Sequence, residues 1–151
     1  MTDSKTEGRR TPPGTRAAYR HFSTITTRWN DNDVYGHVNN VIYYSYLDTA
    51  VNEYLVRAGF LDIEHGSVIG LVVESHFRYF SPLAFPDVVH IGLRVPQVGR
   101  TSVRYEVGVF RNDAHEASAE GYFVHVYVAR ASNRPEPLPE PLKAALRALQ
   151  V

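Results

Sequence analysis

Residues 40–58 repeat apolar side chains at steps of three and four: Tyr43, Leu47, Ala50, Val51, Tyr54, Leu55 and Ala58. That period lays one apolar stripe along a helix. Asn39 stands where a cap would accept from the unpaired amides of the first turn. Glu53 and Arg57 are spaced for an i,i+4 ion pair, and Gly59 suits a left-handed closing residue. Before the helix, residues 21–28 (HFSTITTR) mix β-branched and aromatic side chains and predict a first strand. After it the period drops to two. Residues 68–80 put Leu71, Val73, Phe77 and Tyr79 on one face, against Glu74, His76 and Arg78 on the other. Residues 88–95 alternate through Val89, Ile91, Leu93 and Val95, and residues 101–110 through Val103, Tyr105, Val107 and Val109. Residues 117–129 complete the set, after a hairpin turn predicted at Asn112-Asp113. Ser81, Pro82, Pro86 and Gly99 mark breaks.

The order strand, long helix, four strands predicts an α+β architecture. Period-two strands with one polar face form an antiparallel sheet, and a lone helix must bury its stripe against it. A curved sheet of about five strands wrapped around one long helix satisfies both stripes. Residues 1–18 are polar and basic, with Pro12, Pro13 and Gly14, and predict a disordered tail or an arm that orders on a partner subunit. The folded region is expected to start near Ala17, and residues 19–131 to form the domain. Residues 132–151 open with Pro135, Pro137, Pro139 and Pro141 and predict a proline-rich arm. Leu142, Leu146 and Leu149 there suggest a short helix docked on the domain or on a partner.

Composition narrows the function classes. The chain has 151 residues, 44% of them hydrophobic, which suits one domain with one core. Lys plus Arg and Asp plus Glu balance at 16 each, so nothing in the charge argues for nucleic acid or an anionic membrane. No apolar run approaches the ~18 residues of a membrane span. The absence of cysteine excludes disulfides, thiolate metal sites and a cysteine nucleophile, and is compatible with a cytoplasmic protein.

The stretch richest in chemistry runs Arg28-Trp29-Asn30-Asp31-Asn32-Asp33-Val34-Tyr35-Gly36-His37-Val38-Asn39-Asn40. It holds two carboxylates, a glycine that permits tight backbone approach, a histidine, and the start of a helix whose first N–H groups favour negative charge. Acyl transfer needs such a set: N–H donors aimed at the oxygen that becomes anionic, and a carboxylate that attacks the carbonyl carbon or activates water. Asp33 is the candidate nucleophile or general base, the backbone N–H of Asn40 the oxyanion donor, and His37 a proton donor or shuttle. Asp31 is read as structural, Asn39 as a cap, and Trp29 as core or interface packing.

With the Tyr43-Tyr44 and Leu47-Asp48 that follow, this segment resembles the signature of the 4-hydroxybenzoyl-CoA thioesterase-like branch of the hot-dog superfamily. Gly36-His37-Val38-Asn39-Asn40 is similar to the variant in many bacterial acyl-CoA and acyl carrier protein thioesterases. Tyr79-x-x-Pro82-x-x-x-Pro86-Asp87 resembles the family's strand ending. The resemblance implies a hot-dog fold, hydrolysis of an acyl-CoA or acyl carrier protein thioester, and Asp33 as the catalytic carboxylate. It implies that Tyr35, Gly36, Val38 and Asn39 lie beside the substrate. It also implies homodimers or tetramers with active sites between subunits, and no metal or organic cofactor. Val34-Tyr35 and His37-Val38 replace the Pro-Ala and the aromatics of hydroxybenzoyl-specific members, so an aliphatic acyl group matches at least as well as an aromatic one.

Other readings of the same residues are weaker. Asp31-Asn32-Asp33 with Gly36 imitates a calcium loop, but Ile42 stands where a bidentate Glu belongs. The chain's 7 histidines include no His-x-x-x-His pair, and there is no Gly-x-Ser-x-Gly elbow. Glu74, His76 and Arg78, with Arg104 and Glu106 on a neighbouring strand, predict a charged sheet face with cross-strand ion pairs. Arg78 or Arg104 could instead meet the phosphates of CoA. Asp48 is read as structural. A hot-dog hydratase or dehydratase, or a non-catalytic acyl-CoA-binding protein, are the competing functions.

Overall fold

In the computed structural model, which describes residues 11–60, 62 and 64–151, the predicted stripe becomes helix α1 (Asn40–Arg57). The first ten residues of the expected tail lie outside the described residues. Helix α1 buries Tyr43, Tyr46, Leu47, Ala50, Val51 and Leu55. The Asn39 side chain accepts from the Val41 N–H at 3.1 Å, Gly59 closes the helix at φ +75°, and Glu53 pairs with Arg57 at 3.0 Å. Tyr54 is only half-buried, because its hydroxyl reaches out to donate to the Ala145 carbonyl at 2.6 Å.

Five strands, β1 (His21–Thr26), β2 (Val68–Tyr79), β3 (Val88–Val98), β4 (Ser102–Arg111) and β5 (Ala119–Ala129), form one antiparallel sheet. Their spatial order is β1-β3-β4-β5-β2. Helix α1 lies on one face, where Leu47, Ala50 and Val51 meet Val89, Ile91, Leu93, Val103, Tyr105 and Val107 in a single core. This is the sheet-and-helix arrangement that the residue pattern predicts, and the hot-dog fold that the resemblance implies.

Strand β2 departs from the expected alternation. Its pairing with β5 slips between Val72 and Glu74, so Phe77 and Tyr79 face the helix with odd numbers, whereas beyond the slip Val72 and Gly70 do. Leu71 therefore shares no face with Phe77. A bulge inserts one residue and inverts every side chain after it, which no alternation count can anticipate. Strand β2 is also an edge: β5 pairs with one side of it, and Leu71, Val72 and Val73 are 41%, 49% and 60% exposed.

The predicted turn at Asn112 is present, with φ +47°, but the chain continues through residues 113–118 instead of closing a two-residue hairpin. The Asn112 side chain is used elsewhere, accepting from Val88 N–H at 2.9 Å and donating to Asp87 Oδ1 at 3.1 Å. Order also begins before Ala17. Arg16 donates to the carbonyls of Ala114 and Asn112 at 2.8 and 2.6 Å, and Thr15 bridges Glu116. The Tyr19 side chain then packs against Gly92 and Gly108, where a Cβ would come within 2.8 and 2.6 Å of it.

The C-terminal segment docks on the domain itself. Helix α2 (Glu140–Arg147) follows the prolines, and Leu138, Leu142, Leu146 and Leu149 are all buried in the same core as α1. Val95 N–H donates to the Leu149 carbonyl at 2.9 Å, which fastens the end of the chain to β3. Leu142 is fully buried, so Leu142→Ala should cost about 2–5 kcal/mol of unfolding free energy by urea denaturation. A loss below about 1 kcal/mol would mean that α2 is not part of the cooperative unit.

Candidate active site between the α1 N-terminus and the Tyr79–Pro82 corner

The loop from β1 to α1 is built around one buried carboxylate. A 3-10 turn, Trp29–Asp31, swings Asp31 inward to 1% exposure and Trp29 outward to 82%. Trp29 thus lies edge-on to the Phe85 ring at 5.8 Å and is not part of the core, which rules out the core half of the expectation of core or interface packing. Asp31 accepts from the Arg28 amide at 2.9 Å, from Arg28 Nε at 3.1 Å and from the Tyr46 hydroxyl at 2.8 Å. Burial alone would raise its pKa, but these donors and the Arg28 charge outweigh burial and hold the carboxyl below its ordinary value. Asp31 is structural, as its surroundings show: it pins the loop to α1.

Further on, the loop is stitched to the segment before β3. Val38 N–H donates to the Leu83 carbonyl at 2.8 Å, and Phe85 N–H donates to Asn32 Oδ1 at 3.0 Å. Between these stitches residues 33–37 form a tight turn, with Asp33 N–H on the His37 carbonyl at 2.8 Å and Gly36 N–H on the Asp33 carbonyl at 3.1 Å. Gly36 sits at φ +80°, a conformation that strains any residue with a Cβ.

This turn puts Asp33, His37, Val38 and Asn40 on the wall of one cleft of about 420 Å³. Tyr43, Tyr79, Phe80, Ser81 and Pro82 form the other side. Asp33 Oδ1 accepts from the Tyr35 amide at 2.9 Å, while Oδ2 has no partner among the described residues. Asn39 spends its side chain on Val41, and Ile42 N–H donates to the Asn39 carbonyl at 2.9 Å. The Asn40 N–H is left with no acceptor among the described residues. An α-helix of this length presents such an amide together with the positive end of its dipole. The site thus combines a partly free carboxylate, an unused N–H donor and an imidazole around an open space.

The other residues expected at the site are placed as follows. Gly36 shapes the turn and Asn39 caps the helix. Tyr35 is 83% exposed and stands outside the cleft lining. Arg78 is not beside Asp33 in the protomer; it lies on the opposite face of the sheet, in a depression shared with Tyr19, His76, Arg94, Arg104 and Tyr122. The charges there largely compensate one another. Glu106 accepts from Arg94 and Arg104 at 2.9 and 3.1 Å, Tyr122 donates to Glu74 at 2.7 Å, and the Arg104 guanidinium covers the Tyr122 ring at 3.7 Å. Arg78 itself lies 5.7 Å from the centre of the Phe80 ring. Asp48 accepts from the Asn52 side chain at 3.1 Å on the surface of α1.

Tyr79, Phe80, Ser81 and Pro82 were absent from the expected site. Their signal was the break after β2, which marks a corner but not what the corner faces. Among the described residues no three His, Asp or Glu side chains converge as a metal-binding group, and no helix is long and apolar enough to cross a membrane.

A family model described as the thioesterase-like superfamily matches residues 27–146. Among solved structures, the PA5185 protein of Pseudomonas aeruginosa is similar at 55% identity and a TM-score of 0.90, over 92% of this chain and 97% of that one. A thioesterase from Thermus thermophilus, solved with coenzyme A and zinc, is similar at 32% identity and a TM-score of 0.74, over 87% and 95%. The 1,4-dihydroxy-2-naphthoyl-CoA thioesterase of Synechocystis, at 18% identity and a TM-score of 0.76 over 83% and 94%, shares the fold. No curated protein matches the sequence.

Proposed function

Because the chain belongs to the thioesterase-like superfamily, we propose that it hydrolyses acyl thioesters of CoA or of an acyl carrier protein, with Asp33 as the catalytic carboxylate. The observation that carries this reading is the pairing, in one cleft, of the Asp33 carboxylate with the unused N–H of Asn40 at the start of α1. The thioester carbonyl oxygen accepts from the Asn40 N–H, and the helix dipole favours the charge that grows on it. As general base, Asp33 takes a proton from water, whose oxygen bonds to the acyl carbon. The C–S bond then breaks and the thiolate takes up the proton. As nucleophile, Asp33 attacks the acyl carbon and expels the thiolate, and water opens the resulting mixed anhydride to the free acid, returning the Asp33 carboxylate and supplying the proton that the thiolate takes up. In either route His37, on the same wall, relays that proton toward the sulfur. Val38, Tyr43 and Tyr79 supply the apolar flank on which an aliphatic acyl chain rests.

The same reading includes a homo-oligomer. The free edge of β2 and its exposed valines suit pairing with β2 of a second copy, which would remove an unprotected edge. Arg78, remote from Asp33 within one protomer, is proposed to meet CoA phosphates there. The thioesterase of Thermus thermophilus supports coenzyme A as the carrier.

Release of free thiol from a panel of aliphatic and aromatic acyl-CoAs tests the proposal. Catalytic release from the aliphatic members is expected. No release from any CoA ester or acyl carrier protein thioester would overturn it, and loss of water from 3-hydroxyacyl-CoA without thiol release would replace it with a hydratase function.

A further inference from the structure

The tyrosine hydroxyls of this protein divide into two groups. The chain has 10 tyrosines. Outside the cleft the hydroxyls are engaged. Tyr19, Tyr46, Tyr54 and Tyr122 donate to Glu120, Asp31, the Ala145 carbonyl and Glu74, and Tyr105 and Tyr127 bond to each other. Tyr35, Tyr43, Tyr44 and Tyr79 donate to no acceptor among the described residues, and all four are gathered around the Asp33 turn and the end of β2.

Two of these four, Tyr43 and Tyr79, line the same cleft as Asp33 and Asn40. Their rings meet edge-on, with centres 5.0 Å apart and planes at 88°. Tyr43 is 3% exposed, so its hydroxyl stands where an unmade bond is costly. Burial pushes the Tyr43 pKa up to about 12, against a bond from the Leu83 backbone, and the phenol therefore keeps its proton at neutral pH. That bond uses a lone pair of the oxygen and leaves the O–H free to donate. Burial, with the neighbouring Tyr44, raises the Tyr79 pKa as well. Phenylalanine at either position would make the same edge-on contact and bring in no unpaired donor.

The helix sets where on a substrate these donors fall. Tyr43 follows Asn40 by three residues, which places both on one side of α1, about 4.5 Å apart along its axis. A long side chain on a helix leans toward the N-terminus, so the Tyr43 ring reaches back toward the level of Asn40. An acyl chain whose carbonyl oxygen rests on the Asn40 N–H therefore meets Tyr43 within its first few carbons. At C3 a saturated chain offers these hydroxyls no acceptor. A ketone oxygen there has two lone pairs and no proton. A 3-hydroxyl also accepts, but it donates in turn, and Asp33 Oδ2 beside it is an acceptor that the reaction needs. A carboxylate at that place is repelled by Asp33.

Resting on the thioesterase reading, we propose that Tyr43 and Tyr79 are specificity-determining residues that select 3-oxoacyl thioesters over saturated ones by donating to the ketone oxygen. Tyr43, the more buried of the two, carries the larger share.

Two measurements test this. The first is the ratio of kcat/KM for 3-oxohexanoyl-CoA over hexanoyl-CoA. A ratio of at least about ten is expected for the parent protein, falling about fivefold or more in Tyr43→Phe and less in Tyr79→Phe, since a site that bonds a polar group discriminates against an analogue that lacks it. Comparison with the variants removes the intrinsic reactivity of the 3-oxo ester. A parent ratio near one, or a ratio that Tyr43→Phe leaves unchanged, overturns the proposal. The second uses the parent alone and needs no turnover: calorimetric affinity for the thioethers S-(3-oxohexyl)-pantetheine and S-hexyl-pantetheine, whose pantetheine is common to CoA and the carrier protein. Binding of the ketone tighter by about fivefold or more supports the assignment. Equal affinity, or binding of neither, overturns it. The two readings fail separately. Thiol release from neither thioester, with selective binding of the oxo thioether retained, would count against hydrolysis and leave the role of the tyrosines standing. Equal kcat/KM for both thioesters would leave hydrolysis standing and remove that role.

Discussion

Asp33→Asn should lower kcat for thioester hydrolysis by about a thousandfold while leaving the melting transition almost unmoved. The two halves of that expectation come from different oxygens. Asp33 Oδ1 is engaged with the Tyr35 amide at 2.9 Å, and an asparagine oxygen can accept the same bond, so the turn through Gly36 survives. The free Oδ2 is what the reaction needs, and an amide can neither attack a carbonyl nor hold a proton taken from water. Stability should stay within about 0.5 kcal/mol of the parent, as for substitutions that leave no buried group unpaired. Steady-state thiol release and a urea melt of the same preparation read the two halves. Activity within threefold of the parent would remove Asp33 from the mechanism. A single turnover in water labelled with oxygen-18 then tests the nucleophilic role: label in Asp33 marks an anhydride opened at the Asp33 carbonyl, which the general-base route never produces.

Two positions away, the same chemical group should behave in the opposite way. Asp31→Ala is expected to destabilise the fold by about 3 kcal/mol. The Tyr46 hydroxyl and the Arg28 amide would lose their acceptor in a place that water does not reach, whereas the Arg28 side chain, already 67% exposed, returns to solvent at little cost. The dependence on pH follows from the lowered pKa of Asp31. A carboxylate held below its unfolded value of 3.8 contributes fully above that value, and its contribution fades as pH falls through the folded pKa. The gap between parent and Asp31→Ala in urea melts should therefore be flat at neutral pH and narrow below about pH 4. A gap that stays constant into strong acid would mean that the carboxylate charge contributes nothing.

The contrast between Asp31 and Asp33 shows how far the sequence can be read. Both sit in one polar, turn-forming stretch, and residue type alone gives them equal standing. Their separation came from the family pattern, and its physical basis is a 3-10 turn that points one carboxylate at Tyr46 and leaves the other at the surface. The helix was legible in detail, with its stripe, the Asn39 cap and the Gly59 stop, because each is a local device whose parts lie within a few residues. The strands were legible as strands. The faces of β2 were not, because one inserted residue near Val73 reverses them and leaves no compositional trace. The Tyr79–Pro82 wall of the cleft was hidden for a related reason: it meets Asp33 only through bonds between segments about fifty residues apart in the chain.

Those long-range bonds have a consequence for how the site can vary. Val38 is held by the carbonyl of Leu83 and Asn32 by the amide of Phe85, and the Ala84 amide bonds Asp87 at 2.9 Å. On the side of residues 83–85 every one of these contacts is made by main chain. The shape of the cleft is thus written into the path and length of that segment, not into the side chain at Ala84. Exchanging Ala84 for any residue other than proline keeps the donors and acceptors of every one of these links, whereas removing a single residue between Leu83 and Asp87 shifts them all together. Related chains can drift in composition along this corner and keep the same cleft, provided they keep count.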